Sequence, residues 1–226
     1  MDTTFFLQLL VNGLIIGIIY ALVASGLSLL FGVLNIVNFA HGEFYMIGAM
    51  LAYFASAQLG FTYWPMVIAV VITSLCIGVV LYELLLSKLQ NSEIERSVLA
   101  TLGLTMVLQN GAIFLFSTTP RMVQTEYSFQ LASFAGLDVP VTRLIAAGLA
   151  VLAFAGISWA LYATQTGRAI RGVSQNRDAA LMVGINPKSV SRLAVAVAIA
   201  LAGLAGAALA PIYAVHPTMG FAFIFK

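Results

Sequence analysis

Gly167-Arg-Ala-Ile-Arg-Gly-Val-Ser-Gln-Asn-Arg-Asp-Ala-Ala-Leu-Met-Val-Gly-Ile-Asn-Pro187 is the longest polar interval in a chain that is otherwise nearly all apolar. Five of the ten Lys and Arg residues fall at Arg168, Arg171, Arg177, Lys188 and Arg192, against one acid, Asp178. A short helix can be read inside it, from Arg177 to Val183. Asn176 is a good N-cap, Asp178 lies in the first turn where the helix dipole favours an acid, and Gly184 falls at the C′ position. Asn186-Pro187 then starts another helix, with Asn as cap and Pro as first residue. A two-turn helix is marginal alone in water. Ala179, Ala180, Leu181, Met182 and Val183 therefore need a surface to rest on, and the helix reads as a piece that docks outside the membrane. An ordinary positively charged loop is the competing reading, and on charge alone it has the stronger case.

Outward from this interval, composition decides the class. The 226 residues are 62% hydrophobic and 8% charged, against about 25% charged in a soluble domain. The fold class expected is an all-α, polytopic transmembrane helix bundle of about six spans. The net charge of +2 is concentrated in one loop, which is a topology signal and not a nucleic-acid footprint. The single cysteine, Cys76, excludes a disulfide framework and a Cys-based metal site. No basic n-region precedes the first apolar run, so no cleavable signal is expected.

The expected spans are Phe6–Phe31, Val33–Leu59, Tyr63–Leu86, Val98–Phe116, Val141–Tyr162 and Val190–Tyr213. Small residues at Gly13, Gly17, Ala21, Ser25 and Gly26, and at Ala198, Ala202 and Gly206, suit close helix packing. The second span is unusual. Asn35, Asn38, His41, Gly42 and Glu43 interrupt it, which predicts a broken segment: an extended or half-helical start, then a helix to about Ala57. Irregular backbone at membrane depth survives only inside protein or beside a water-filled cavity, and an acid there marks a functional site. The alternative places His41 and Glu43 at the membrane surface, touching water or headgroups. Their spacing of two residues keeps them off a common helix face, against a His–Glu catalytic pair. Gln109 and Asn110 are expected to face other helices or a pore. In the polar interval Ser117–Pro140, alternation at Tyr127, Phe129 and Leu131 hints at a short strand. The terminal run Gly220-Phe-Ala-Phe-Ile-Phe-Lys226 reads as a truncation within a further apolar segment.

If the basic loop is cytoplasmic, Ser87–Ser97 is inside, while Ser117–Pro140 and the N-terminus are outside. The first span with its His41 segment also resembles the sixth span with Val215–Gly220, run in the opposite direction, as in transporters built from inverted repeats. No phosphate-binding loop, H-E-x-x-H, G-x-S-x-G or His/Cys cluster is present, so neither a catalytic residue nor a metal ligand is assigned.

Asn38-Phe-Ala-His-Gly-Glu-Phe-Tyr-Met-Ile-Gly-Ala49, together with Gly167-Arg-Ala-Ile-Arg171 through Gly184-Ile-Asn186, resembles the permease subunit of ATP-driven branched-chain amino acid importers, and the likeness runs along essentially the whole chain. It implies a single transmembrane permease domain over residues 1–226, the N-terminal part of a longer domain, with a cytoplasmic coupling loop at about 164–190. It implies a bacterial inner-membrane complex with a second, related but non-identical permease chain, two ATP-binding subunits and a periplasmic substrate-binding protein. ATP and its magnesium would be bound by the partners, with no cofactor in this chain. Arg168, Arg171, Asn176, Arg177, Asp178, Ala179 and Gly184 would form the ATPase-coupling element. Asn38, His41, Glu43 and Gln109 are candidates for the translocation pathway. Urea or short-amide permeases are close relatives, and a stand-alone channel or secondary transporter is the other class to separate.

Overall fold

The computed structural model describes residues 3–90, 92–134 and 137–224. The ends of the two terminal runs, Met1–Asp2 and Phe225–Lys226, lie outside the described residues, as does Gly136 in the second polar interval. Helix α1 covers Thr3–Leu34 and α2 His41–Ala57. Helix α3, Tyr63–Leu81, runs on through a π turn, Tyr82–Leu86, into a last piece, α4, Ser87–Leu89. Then come α5 (Ile94–Phe116), strands β1 (Leu131–Phe134) and β2 (Leu137–Pro140), α6 (Val141–Ala163), α7 (Gln165–Gln175), α8 (Arg177–Met182), α9 (Pro187–Leu209) and α10 (Met219–Ile224). Five helices among the described residues are long and apolar enough to cross a membrane: α1, α3 with its extension, α5, α6 and α9. The remaining expected span, α2, has only 17 residues because the chain before it is not helical.

Helix α9 is the axis of the bundle, and α1, α2 and α3 all pack on it. Its Ala- and Gly-rich sequence is the reason. Lipid offers no hydrophobic drive for helices to associate, so close backbone approach and van der Waals contact must supply it. Each neighbour presents a glycine. A Cβ on Gly26 of α1 would lie 2.7 Å from the Ala198 carbonyl oxygen. One on Gly48 of α2 would lie 2.5 Å from the Cα of Gly203, and one on Gly78 of α3 would lie 2.6 Å from the Cα of Ala196. Ala198 and Ala202 are fully buried, as their spacing suggested. Gly13 and Gly17 correct the sequence reading: nothing stands within 4 Å of a Cβ at either, so only the Gly26 end of the α1 small-residue series packs against protein.

The π turn has a packing consequence. Along α3 the buried positions are Tyr63, Met66, Val67, Val70, Ser74, Gly78 and Leu81, within the turn they are Tyr82 and Leu86, and below it Leu89. A continuous α-helix would carry Leu85 and Lys88 to the inner face next. The extra residue delays the phase by one and keeps Lys88 out.

The expected strand lies slightly later than the alternation suggested. Thr125 to Ser128 is turn, with the Ser128 hydroxyl accepting from the Thr125 amide at 2.9 Å, and pairing begins at Leu131, opposite Pro140. Arg121 and Val215 exchange backbone hydrogen bonds of 3.0 and 2.7 Å, and an Arg121 guanidinium nitrogen donates to the Tyr53 hydroxyl at 2.9 Å. These contacts tie together the end of the bundle that carries the hairpin. The basic loop lies at the other end.

Candidate functional site

Two places carry polar chemistry. The first is the break before α2. Asn35 ends α1 at φ 54°, a left-handed conformation that Asn tolerates better than most residues. The Asn38 side-chain oxygen accepts from the Ala40 amide at 3.1 Å, and the Asn38 and Ala40 carbonyls accept from the amides of His41 and Glu43 at 3.1 and 3.0 Å. The turn therefore satisfies much of its own backbone, as burial demands. On α5, the Thr101 hydroxyl lies within hydrogen-bonding distance of the Val37 carbonyl, at 3.3 Å.

His41 and Glu43 diverge, as their spacing required. His41 Nε2 donates towards the Val23 carbonyl of α1 at 3.2 Å. Glu43 Oε1 accepts from the Gln109 amide nitrogen of α5 at 2.8 Å. Their level is that of Gly26 and Ala198, midway along α9. The alternative that these residues touch water or headgroups is corrected: His41 is 1% and Glu43 0% exposed, because α1, α5, α9 and α10 close around the start of α2. Glycine makes the last contact possible. A Cβ on Gly220 would sit 2.6 Å from the Gly42 carbonyl oxygen and 2.7 Å from Glu43 Oε2. The starts of α2 and α10 thus meet inside the bundle. Asn38 Nδ2, His41 Nδ1 and Glu43 Oε2 are buried without a hydrogen-bond partner. Gln109 faces inward as expected. Asn110 does not: it is exposed and donates to the Met106 carbonyl of its own helix at 2.8 Å.

The second place is the basic loop. The Asn176 side chain accepts from the Ala179 amide at 2.9 Å and caps α8, with Asp178 in its first turn. Gly184 has φ 83°, and the Ile185 amide reaches back to the Ala180 carbonyl at 3.0 Å. That is the Schellman closure for which a C′ glycine is suited. Asn186 caps α9, accepting from Lys188 and Ser189, with Pro187 at the helix start. Ala180 is buried, whereas Leu181, Met182 and Val183 are 56, 90 and 74% exposed. Arg168 is exposed and Arg171 and Arg177 half-buried, and among the described residues no acid forms an ion pair with them. Residues 165–175, polar chain by composition, form an element not expected from the sequence, α7, with Ile170 and Val173 buried. The signal was Gly167, Ile170 and Val173 spaced three apart.

The arrangement defines a class: a multi-pass helical membrane protein with a broken helix at mid-depth and an exposed, capped helix at one end. Residues 9–226 match the family model for the permease component of branched-chain amino acid transport systems. The chain belongs to that family, and is a transport subunit. It is 27% identical over 229 residues to the high-affinity branched-chain amino acid transport system permease protein BraD of Pseudomonas aeruginosa, covering 96% of this chain and 75% of that one. It is 27% identical over 230 residues to the LivH permease protein of Salmonella typhimurium, with the same coverage. A probable LivH permease protein of Methanocaldococcus jannaschii is 25% identical over 223 residues, covering 94% of this chain and 69% of that one. No solved structure matches the chain.

Proposed function

We infer that this chain is the membrane-embedded permease subunit of an ATP-driven importer of branched-chain amino acids in the bacterial inner membrane, working by alternating access. It supplies no catalytic group. ATP is bound and hydrolysed by two partner subunits, a second, related permease chain completes the pathway, and a periplasmic binding protein delivers the ligand. The observation that carries this reading is α8: a capped two-turn helix beyond the spans, holding Leu181, Met182 and Val183 out from an arginine-rich loop. An exposed apolar tip in a basic loop suits a cleft on another protein. A stand-alone channel has no use for it.

In this assignment residues 164–190 are cytoplasmic, and Arg168, Arg171, Asn176, Arg177, Asp178, Ala179 and Gly184 form the coupling element. The hairpin end and the N-terminus are then periplasmic. The pathway runs past Asn38, His41, Glu43 and Gln109, where buried groups without partners stand ready for a polar passenger. The substrates in the relatives' names favour branched-chain amino acids over urea or short amides.

The test is uptake of labelled leucine and labelled urea by the complete transporter in a host lacking its own systems. Leucine uptake that needs ATP and the binding protein is expected. Urea uptake alone would move the substrate, and uptake independent of ATP would overturn the importer. Gly184→Arg forces a side chain into a left-handed position. It should abolish uptake while the complex still assembles, and normal uptake would refute the coupling role of α8.

A further inference from the structure

We propose that α6 and α7 form one rigid lever, hinged on α1 at the hairpin end, which carries motion of the basic loop into α6 and slides against α1 and α9. The proposal rests on the coupling reading of that loop.

Three ties bind α7 to α6. Thr164, between them, accepts from the Gly167 amide at 3.0 Å and donates to the Ala160 carbonyl at 2.6 Å, so one hydroxyl both caps α7 and closes the last turn of α6. Gly167 lies directly on α6: a Cβ there would be driven into the carbonyl oxygens of Ala160 and Leu161 and would stand 2.5 Å from the Leu161 carbonyl carbon. The Arg171 guanidinium sits over the Tyr162 ring, 5.0 Å from its centroid, a contact that holds α7 across the junction.

The contact of this pair with α1 and α9 is different. A cavity of about 90 Å³ opens beside the junction, lined by Ile157 and Leu161 of α6 and Gly167 and Ile170 of α7, and across from them by Leu29 of α1 and Leu193 and Val197 of α9. Apolar side chains around a void hold no fixed hydrogen-bond register, so packed helices can slide past one another at small cost. At its far end α6 is pinned. An Arg143 guanidinium nitrogen donates to the Asn12 side-chain oxygen of α1 at 2.6 Å, and on the adjoining β2 the Asp138 carbonyl accepts from Gln8 of α1 at 3.2 Å. A rod pinned at one end, held at the other only by apolar packing around a void and carrying α7 as its foot, swings when the foot is pushed.

The test uses the complete transporter with its partners, in a Cys76→Ala background, and distances between paired spin labels with and without ATP. One pair is at Trp159 of α6 and Ser174 of α7, the other at Phe31 of α1 and Ser174, all exposed positions. The 159–174 distance should stay fixed through the cycle and the 31–174 distance should shift. A shift in both would overturn the lever and leave the coupling loop standing. No shift in either would overturn lever and coupling loop together. As a second measurement, Gly167→Ala, which breaks the foot from the rod, should lower leucine taken up per ATP hydrolysed at least several-fold while stimulated hydrolysis persists. An unchanged ratio would also overturn the lever.

Discussion

Replacing Gly48 with alanine tests the axis of the bundle directly. The new Cβ would stand 2.5 Å from the Cα of Gly203, and carbon atoms rest at about 3.5–4.0 Å. The shortfall is about 1.0–1.5 Å. Both neighbours are backbone, so no rotamer change can relieve it, and α2 must move off α9. Overpacking of this kind costs about 1–3 kcal/mol, offset by about 0.5–1 kcal/mol from alanine's better helix propensity. The mid-values leave a net loss of about 1.3 kcal/mol, roughly a tenfold rise in the unfolded share. The control is Gly103→Ala on α5, where nothing stands within 4 Å and propensity alone acts. Both chains would be unfolded from bicelles by titration with dodecyl sulfate, followed by circular dichroism. The Gly48 variant should unfold earlier than wild type and the Gly103 variant at the same point or later. Equal midpoints for the two variants would refute the claim that α2 and α9 meet backbone to backbone.

Three further substitutions test single contacts, the first two in the same assay. Gln109→Leu strips Glu43 of its one hydrogen-bond donor; in a double-mutant cycle with Glu43→Leu the coupling energy should be about 0.6–1.7 kcal/mol, the span seen for hydrogen bonds between membrane helices, and zero coupling would refute the contact. Glu83→Ala removes an ion pair with Arg192 whose side chains are 54 and 47% exposed, so it should cost no more than about 1 kcal/mol, and a larger loss would show that the pair is buried in the assembled protein. Asn176→Ala removes the acceptor for the Ala179 amide, worth about 1 kcal/mol. Exchange of the α8 amides in hydrogen–deuterium measurements should then quicken about fivefold, and unchanged exchange would show that the cap does not hold the helix.

Local rules carried the reading of the caps. Asn176, Gly184, Asn186 and Pro187 act within a few residues of themselves, so the sequence alone places them. The spans were equally legible, because a run of about 20 apolar residues has few other fates. The break before α2 was visible in Asn35, Asn38 and Gly42, but its burial was not, since that depends on α5 and α10 closing over it from far along the chain. The Glu43–Gln109 hydrogen bond spans 66 residues, and no local pattern selects Gln109 over Asn110, which points away. Helix α7 was hidden by its own polarity: an apolar stripe of three residues is faint beside neighbouring spans that are apolar all round. Among the glycines, spacing could not separate Gly26, which meets Ala198, from Gly13 and Gly17, which meet nothing.

The π turn at Tyr82–Leu86 bears on how this chain tolerates insertions and deletions. Losing one residue from a membrane helix ordinarily turns everything beyond it by about 100° and swaps its lipid and protein faces. Here the helix already holds one residue more than an α-helix of the same height. Removing either Leu84 or Leu85 would let the turn relax to α geometry, with Leu81 above and Leu86 and Leu89 below still on the buried face. The third span therefore has a place where its length can change by one residue while both halves keep their orientation, and homologous chains of different length can be aligned there without a compensating change elsewhere.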